Sequence, residues 1–341
     1  MDLDIEQPES LIAYLRNTGH LAPAEQPTIQ VLAGGVSNRT VLVERAHGEA
    51  WVLKQALSKL RVPVDWFSSP ERVHREAMGL RWLAQLTEPG VIPRLIFEDH
   101  QYHLLAMAAV PQPHANWKTM LLAGHLEDEH ITQFAQLLGT IHQQAFLRAA
   151  EVAPNFQDRS FFESLRLEPY YHYTATQQAA AAPFLEDLIA ATRRRCLTLV
   201  HGDYSPKNTL VYQGRLILLD YEVIHWGDPA FDVGFALTHL LSKAHHLPAL
   251  RARFSAAAQH FWQHYYAQVA TLSWATDLER YAVRHTLGCL LARVAGRSPL
   301  EYLNETERQR QAQIVTTLMQ ETPATIDELT GTFGERLNKI S

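Results

Sequence analysis

The chain has 341 residues, enough for two domains or one bilobal unit with sizeable cores, and its 30 Lys and Arg against 36 Asp and Glu give a formal charge of −6. That balance argues against a nucleic-acid or anionic-membrane partner, either of which would want a basic face. Cys196 and Cys289 offer no disulfide framework, no run of about 18 apolar residues could span a bilayer, and the start MDLDIEQPES lacks the apolar stretch of a secretory leader, so a cytoplasmic protein, monomer or homodimer, is expected.

In chain order, Pro8–Asn17 sets Leu11, Ile12 and Leu15 on one face with Gly19 just past the end, and predicts a short helix. Residues 28–32 and 39–44 predict two strands joined by Gly34-Gly35-Val36-Ser37-Asn38. Glycines let backbone approach a phosphate closely, with successive N–H groups and the Ser37 hydroxyl facing it, although a Gly-Gly turn is more often only a hairpin. Residues 49–55 predict a third strand, where Lys54 follows Trp51-Val52-Leu53 and needs an anionic partner if it faces inward. The next helix begins near Pro70-Glu71 and supplies the candidate, Glu76, with Glu71 its rival. Between them, residues 59–69 fit no regular element. Residues 92–98 and 102–106 flank an Asp99-His100-Gln101 turn and complete an antiparallel sheet. A composition shift through 106–110 into Pro111-Gln112-Pro113 reads as a hinge, dividing the chain into 1–109 and 110–341.

The second part reads as mainly helical, with helices over 128–148, 160–173 and 183–195. Residues 197–200 then form a buried strand that ends at His201-Gly202-Asp203, with Asn208 five residues after Asp203 and Pro206 keeping the loop from becoming helix. Thr209–Tyr212 and 215–219 are short strands separated by Gln213-Gly214, a two-residue hairpin signal. The second strand delivers Asp220, and Glu222 shares its side if extended geometry persists. Folding the hairpin gathers Asp203, Asn208, Asp220 and Glu222. Three carboxylates this close repel unless cations are present, and with an amide oxygen they form a hard ligand set suited to Mg²⁺. Asp203, on the turn, is placed to take a proton from an attacking hydroxyl. After Trp226-Gly227-Asp228-Pro229 comes a buried helix over 230–241, in which Asp232 must be satisfied. Helices over 250–270 and 277–296 follow; Arg293, among apolar neighbours, is a candidate anion binder ahead of Arg284. Residues 305–339 are helical without visible chemistry, and the 18 histidines show no metal-ligand spacing and read as dispersed solvent or core residues.

His201-Gly202-Asp203, Asn208 and Asp220-Tyr221-Glu222 together resemble the aminoglycoside phosphotransferase and choline kinase superfamily, small-molecule relatives of the protein kinases. The run VLKQALSKLRVPVDWFSSPERVHREA is similar to the corresponding part of methylthioribose kinases. The resemblance implies an α+β, protein-kinase-like bilobal fold, with an N-terminal antiparallel sheet plus helix and a larger helical C-terminal lobe. It implies Asp203 as catalytic base, Asn208 and Asp220 as Mg²⁺ ligands with Glu222 beside them, and ATP as donor. ATP would lie between the lobes on Gly34, Gly35, Ser37, Asn38 and Lys54, with Glu76 orienting the lysine and Met107 and Ala109 at the adenine. His201 and Asp232 would support the catalytic loop.

The expected activity is ATP- and Mg²⁺-dependent phosphorylation of a hydroxyl on a small sugar-like or amino-alcohol acceptor, in a pocket lined by Glu222, Trp226 and Arg293. Aminoglycoside inactivation is one alternative. Another is a silent nucleotide sensor, whose mark would be loss of the lysine, the base or the metal aspartate, all of which are present. With no long activation loop or Ala-Pro-Glu segment, a platform for a protein substrate is missing.

Overall fold

A computed structural model describes residues 3–32, 35, 37–61 and 65–339, in two compact units. The first comprises the chain to His114 together with Leu219–Glu222; the second comprises Ala115–Leu218 and the chain from Val223 onward. Gly34 lies outside the described residues.

The first unit is an antiparallel sheet with a helix on it. Its strands β1 (Thr28–Val31), β2 (Asn38–Glu44), β3 (Ala50–Ala56), β4 (Leu95–Asp99) and β5 (Leu104–Ala108) are ordered β1-β2-β3-β5-β4. Alternation along β2 and β3 buries Val41, Val43, Trp51 and Leu53, which pack with Leu104, Ala106 and with Leu11, Tyr14 and Leu15 of helix α1 (Pro8–Asn17). Each such fully buried aliphatic side chain contributes about 1.5–3 kcal/mol. Helix α2 (Arg72–Leu86) turns Val73, Glu76, Ala77, Leu80 and Leu83 inward, one apolar stripe interrupted by a single acid. Lys54 sits mid-sheet, paired with Thr40 on one side and Leu105 on the other.

The second unit is mainly helical, running β6 (Ala115–Asn116), α3 (Trp117–Leu122), α4 (Asp128–Leu147), α5 (Ala149–Phe156), α6 (Ser160–Phe162), a π-helical segment (Glu163–His172), α7 (Tyr173–Gln177) and α8 (Ala182–Arg194). After these come β7 (Thr198–Val200), β8 (Thr209–Tyr212), β9 (Arg215–Leu218), β10 (His225–Gly227), α9 (Pro229–His246), α10 (Arg251–Val269), α11 (Leu278–Ala295), α12 (Glu305–Gln320) and α13 (Ile326–Lys339). Helix α9 is buried over nearly its whole length, with α10, α11, α12 and α13 packed against it. The helix expected over 160–173 is present, but its middle is π-helical rather than α-helical. Pro169 has no N–H to give the Leu165 carbonyl, and the Arg166 guanidinium donates to that oxygen instead at 2.8 Å. Strands β8 and β9 meet at Gln213 (φ 49°) and Gly214 (φ 73°), the two left-handed residues of a tight hairpin turn. No helix among the described residues is long and apolar enough to cross a membrane.

Candidate active site

In the first unit, Lys54 reaches two carboxylates, Glu76 Oε1 at 2.6 Å and Asp220 Oδ1 at 2.9 Å. Glu71 stands elsewhere, beside His103. Burial opposes the charge on Lys54, but Asp220 and Glu76 outweigh it and hold the ammonium above the usual lysine range. Burial also pushes the Glu76 carboxyl up, against the pull of Lys54. Asp220 adopts φ 70°, a left-handed conformation that a short polar side chain tolerates at some cost. The extended geometry that would align Asp220 with Glu222 is therefore broken, since β9 has already ended at Leu218.

Glu222 has a different neighbour. The wholly buried Arg72 donates from Nε to Glu222 Oε2 at 3.2 Å, and its other nitrogens serve the carbonyls of Ser37, Leu57, Ser68 and Ser69. Asn38 adds a contact from Nδ2 to Glu222 at 3.5 Å and another to Ser37 Oγ at 3.1 Å. Ser37, Asn38 and Glu222 thus belong to one arginine-centred knot built around Arg72. A Cβ at Gly35 would make only ordinary contacts, with Asn38 O at 3.4 Å. Met107 is buried within β5, and the Ala109 N–H is given to Ala50 O at 2.9 Å because pairing with β3 continues past the strand. The Ala109 amide is thus already committed within the sheet.

In the second unit, β7 delivers His201-Gly202-Asp203. Gly202 has φ 79°, and a Cβ there would meet Val223 Cγ2 at 2.9 Å and its carbonyl at 3.1 Å, so glycine is required where protein kinases carry arginine. Asp232 accepts the backbone N–H groups of His201 at 2.7 Å and Gly202 at 2.8 Å, and meets His142 Nε2 at 3.2 Å. Burial works against its charge, yet His142, His201 and the Gly202 amide hold its carboxyl below the usual carboxylate range. The Asp203 N–H in turn bonds His201 Nδ1 at 3.1 Å.

The Asp203 side chain is held at one oxygen only. Oδ2 receives Asn208 Nδ2 at 2.7 Å and Arg166 at 2.9 Å, while Oδ1 has no partner among the described residues. Because Nδ2 of Asn208 is committed to Asp203, its amide oxygen is left as a hard donor. The ladder closes at Thr209↔Leu218, so Asn208 and the chain leading to Asp220 leave the same end of the hairpin. Arg166 was not among the expected residues. It rises from the π-helical segment, donates to Gly202 O at 2.8 Å, and stands over the Tyr170 ring.

Arg293 joins the far side of Tyr170, donating to its hydroxyl and to Ser298 Oγ, each at 3.0 Å, while its Nε is buried without a partner among the described residues. Arg284 instead pairs with Asp187 at the surface. Trp226 turns away from Asp203: its indole N–H bonds Cys196 O at 3.2 Å, beyond the other end of β7.

The sequence profile of the phosphotransferase enzyme family, APH, matches residues 28–272, which takes in every element just described from β1 through α10. The chain belongs to this family. It is 25% identical over 265 residues to methylthioribose kinase 2 of Oryza sativa subsp. japonica, covering 68% of this chain and 61% of that protein. The fold is protein-kinase-like. Amicoumacin kinase, solved with AMP-PNP, Ca²⁺ and Ami, superposes with a TM-score of 0.58 at 15% identity, over 94% of this chain and 98% of its own. Choline kinase of Cryptosporidium parvum does so with a TM-score of 0.56 at 13% identity, over 94% and 99%. These structural neighbours share the architecture while their names record different acceptors.

Proposed function

We propose that this phosphotransferase moves the γ-phosphoryl group of ATP to a hydroxyl of a small sugar-like metabolite, with Mg²⁺. The reading rests on Asp203, whose Oδ2 is pinned by Asn208 and Arg166 while Oδ1 stands open. A base so held can accept a hydroxyl proton without turning away from it. The donor chemistry fits the group: Lys54 is a largely buried cation of the kind that grips phosphates, and Asn208 Oδ1 and the Asp220 carboxylate are each hard oxygen donors of the kind Mg²⁺ takes. Bound Mg·ATP would provide the transferable phosphoryl group and neutralise charge. Glu76 keeps Lys54 extended, and Asp232 holds the loop that presents Asp203.

The acceptor class follows from charge. From Asp203 the contacts lead through Arg166 and Tyr170 to Arg293. Beyond them, buried His239 lies in the field of Lys118, Lys207, Lys243 and Arg293. Glu301, a carboxylate whose charge is felt at Lys243, is taken by Lys118. Such surroundings favour a polyhydroxy acceptor with an acidic or strongly hydrogen-bonding group, and disfavour amino alcohols and polycationic aminoglycosides. A coupled ADP-release screen over sugars, sugar acids, choline, other amino alcohols and aminoglycosides tests this. Turnover above background is expected for sugar-type acceptors. Turnover confined to cationic acceptors overturns the acceptor assignment, and no turnover with any acceptor despite Mg·ATP binding favours a silent nucleotide sensor.

A further inference from the structure

The dispersed histidines are not all dispersed in space. Three of them, His74 of α2 and His100 and His103 of the β4–β5 turn, gather with Glu71 and Glu98 on the first unit. Two ligand trios can be drawn through His74: Glu71, His74 and His103, or His74, Glu98 and His100, each with its ligand atoms within 4.8 Å of one another. Ring geometry separates them. An imidazole lone pair lies in the plane of its ring, and His74 and His100 are stacked face to face, with centroids 3.8 Å apart and planes 9° from parallel. Two parallel rings cannot aim their lone pairs at one ion between them. His74 and His103 are tilted by 54°, with His74 Nε2 and His103 Nδ1 3.4 Å apart, and Glu71 Oε1 is 3.5 Å from His103 Nδ1. Ligands about 2.0–2.1 Å from a tetrahedral zinc stand roughly 3.3–3.4 Å from one another, close to both separations.

The second trio's carboxylate has another use. Glu98 Oε2 meets His74 Nδ1 at 3.2 Å, and Glu98 is itself held by Arg81. An imidazole that donates Nδ1–H to a carboxylate keeps its lone pair on Nε2, the tautomer and orientation of a metal-bound histidine. Burial, the largest influence on His74, holds its basicity below the ordinary histidine value. The geometry points to a divalent transition-metal site, best suited to Zn²⁺, formed by Glu71, His74 and His103 with Glu98 behind His74 and a fourth position toward solvent. Two imidazoles and a carboxylate are a borderline-soft set, distinct from the all-oxygen Mg²⁺ ligands proposed around Asp220. The ion would tie the start of α2 to the β4–β5 turn, and α2 carries Glu76, the partner of Lys54.

The test is isothermal titration of Zn²⁺ into the untagged, metal-stripped full chain in excess Mg²⁺, which occupies hard-oxygen sites without competing for imidazoles. Co²⁺ serves as a visible-absorption probe of the same site. One equivalent should bind, with affinity falling at least ~10-fold in E71Q and H103Q and about 10–100-fold in E98Q through loss of orientation, while H100Q leaves it unchanged. Glu71 and His103 are partly exposed, so far-UV circular dichroism should show these variants folded. Absence of stoichiometric binding, or binding indifferent to E71Q and H103Q, overturns the site. Loss of binding in H100Q with H103Q unaffected overturns this ligand set in favour of the other.

Discussion

Asp203 is held by three groups, two at one side-chain oxygen and one at its backbone amide. Asn208 and Arg166 fix one oxygen, and His201 fixes the backbone amide, so the open oxygen has little freedom to wander. Replacing Asp203 with Asn keeps the shape and removes the basic oxygen. D203N is therefore expected to lower kcat by about 10²–10⁴-fold while nucleotide affinity, read by titration, changes by only a few-fold. Unchanged turnover with a working acceptor would show that proton transfer does not pass through this carboxylate. Asp203, Asn208, Lys54 and Glu76 were legible in the sequence because their spacing is local, or because a lysine in an apolar strand demands an acid. Arg166 was not. It meets Asp203 from 37 residues upstream, out of a run whose pattern looks like any amphipathic helix. The expected strand alignment of Glu222 with Asp220 failed for a related reason, since strand period two holds only while the strand does, and the buried partner of Glu222, Arg72, is 150 residues away.

At the scale of elements, the π-helical segment does the most to shape the candidate site. Its wider turn carries Arg166 to Gly202 and Asp203, and Tyr170 to Arg293, from one continuous run. Pro169 sits within it, and Arg166 supplies the bond that Pro169 cannot give to Leu165. Substituting Pro169→Ala restores an N–H and lets the run tighten toward α-helical geometry, which would draw Arg166 off the Gly202 carbonyl. Expected is a melting temperature that holds or rises, since an interior proline costs roughly 3 kcal/mol, together with a fall in kcat of about tenfold or more. Equal kcat in P169A and the parent would mean the wide turn has no part in placing Arg166. Nothing in the sequence distinguishes a π-turn from an α-turn, because both place apolar residues at similar intervals. The hairpin and sheet, by contrast, were readable. Gln213-Gly214 is a turn signal with a mechanism, and alternation along β2 and β3 specifies which residues face the core.

At the scale of the whole chain, kinase-like architecture was legible because sheet, composition shift and helical remainder follow one another in order, and a 15%-identical chain still superposes with a TM-score of 0.58. Charge placement was not. Overall acidity of −6 coexists with a wholly buried cation on α9, Lys243. Its ammonium donates to the carbonyl of His239, one turn back at 3.1 Å, and faces the Tyr302 ring, with no carboxylate in ion-pair contact among the described residues. Burial first, then Lys118 and Arg293, push its pKa down to about 7. The unfolded chain, with an ordinary lysine near 10.4, binds the extra proton between about pH 7 and 10.4, so the contribution of this lysine to stability rises with pH across that window. Below pH 7 both states are charged and the full penalty, on the order of 5 kcal/mol, is present. Lys243→Met keeps the volume and removes the charge. Urea midpoints should show K243M more stable than the parent at pH 7 and the gap narrowing toward pH 9.5, because the parent gains what the variant never lost. A gap that stays constant with pH, or a variant less stable at pH 7, would mean that Lys243 is stabilised as a cation in the folded chain.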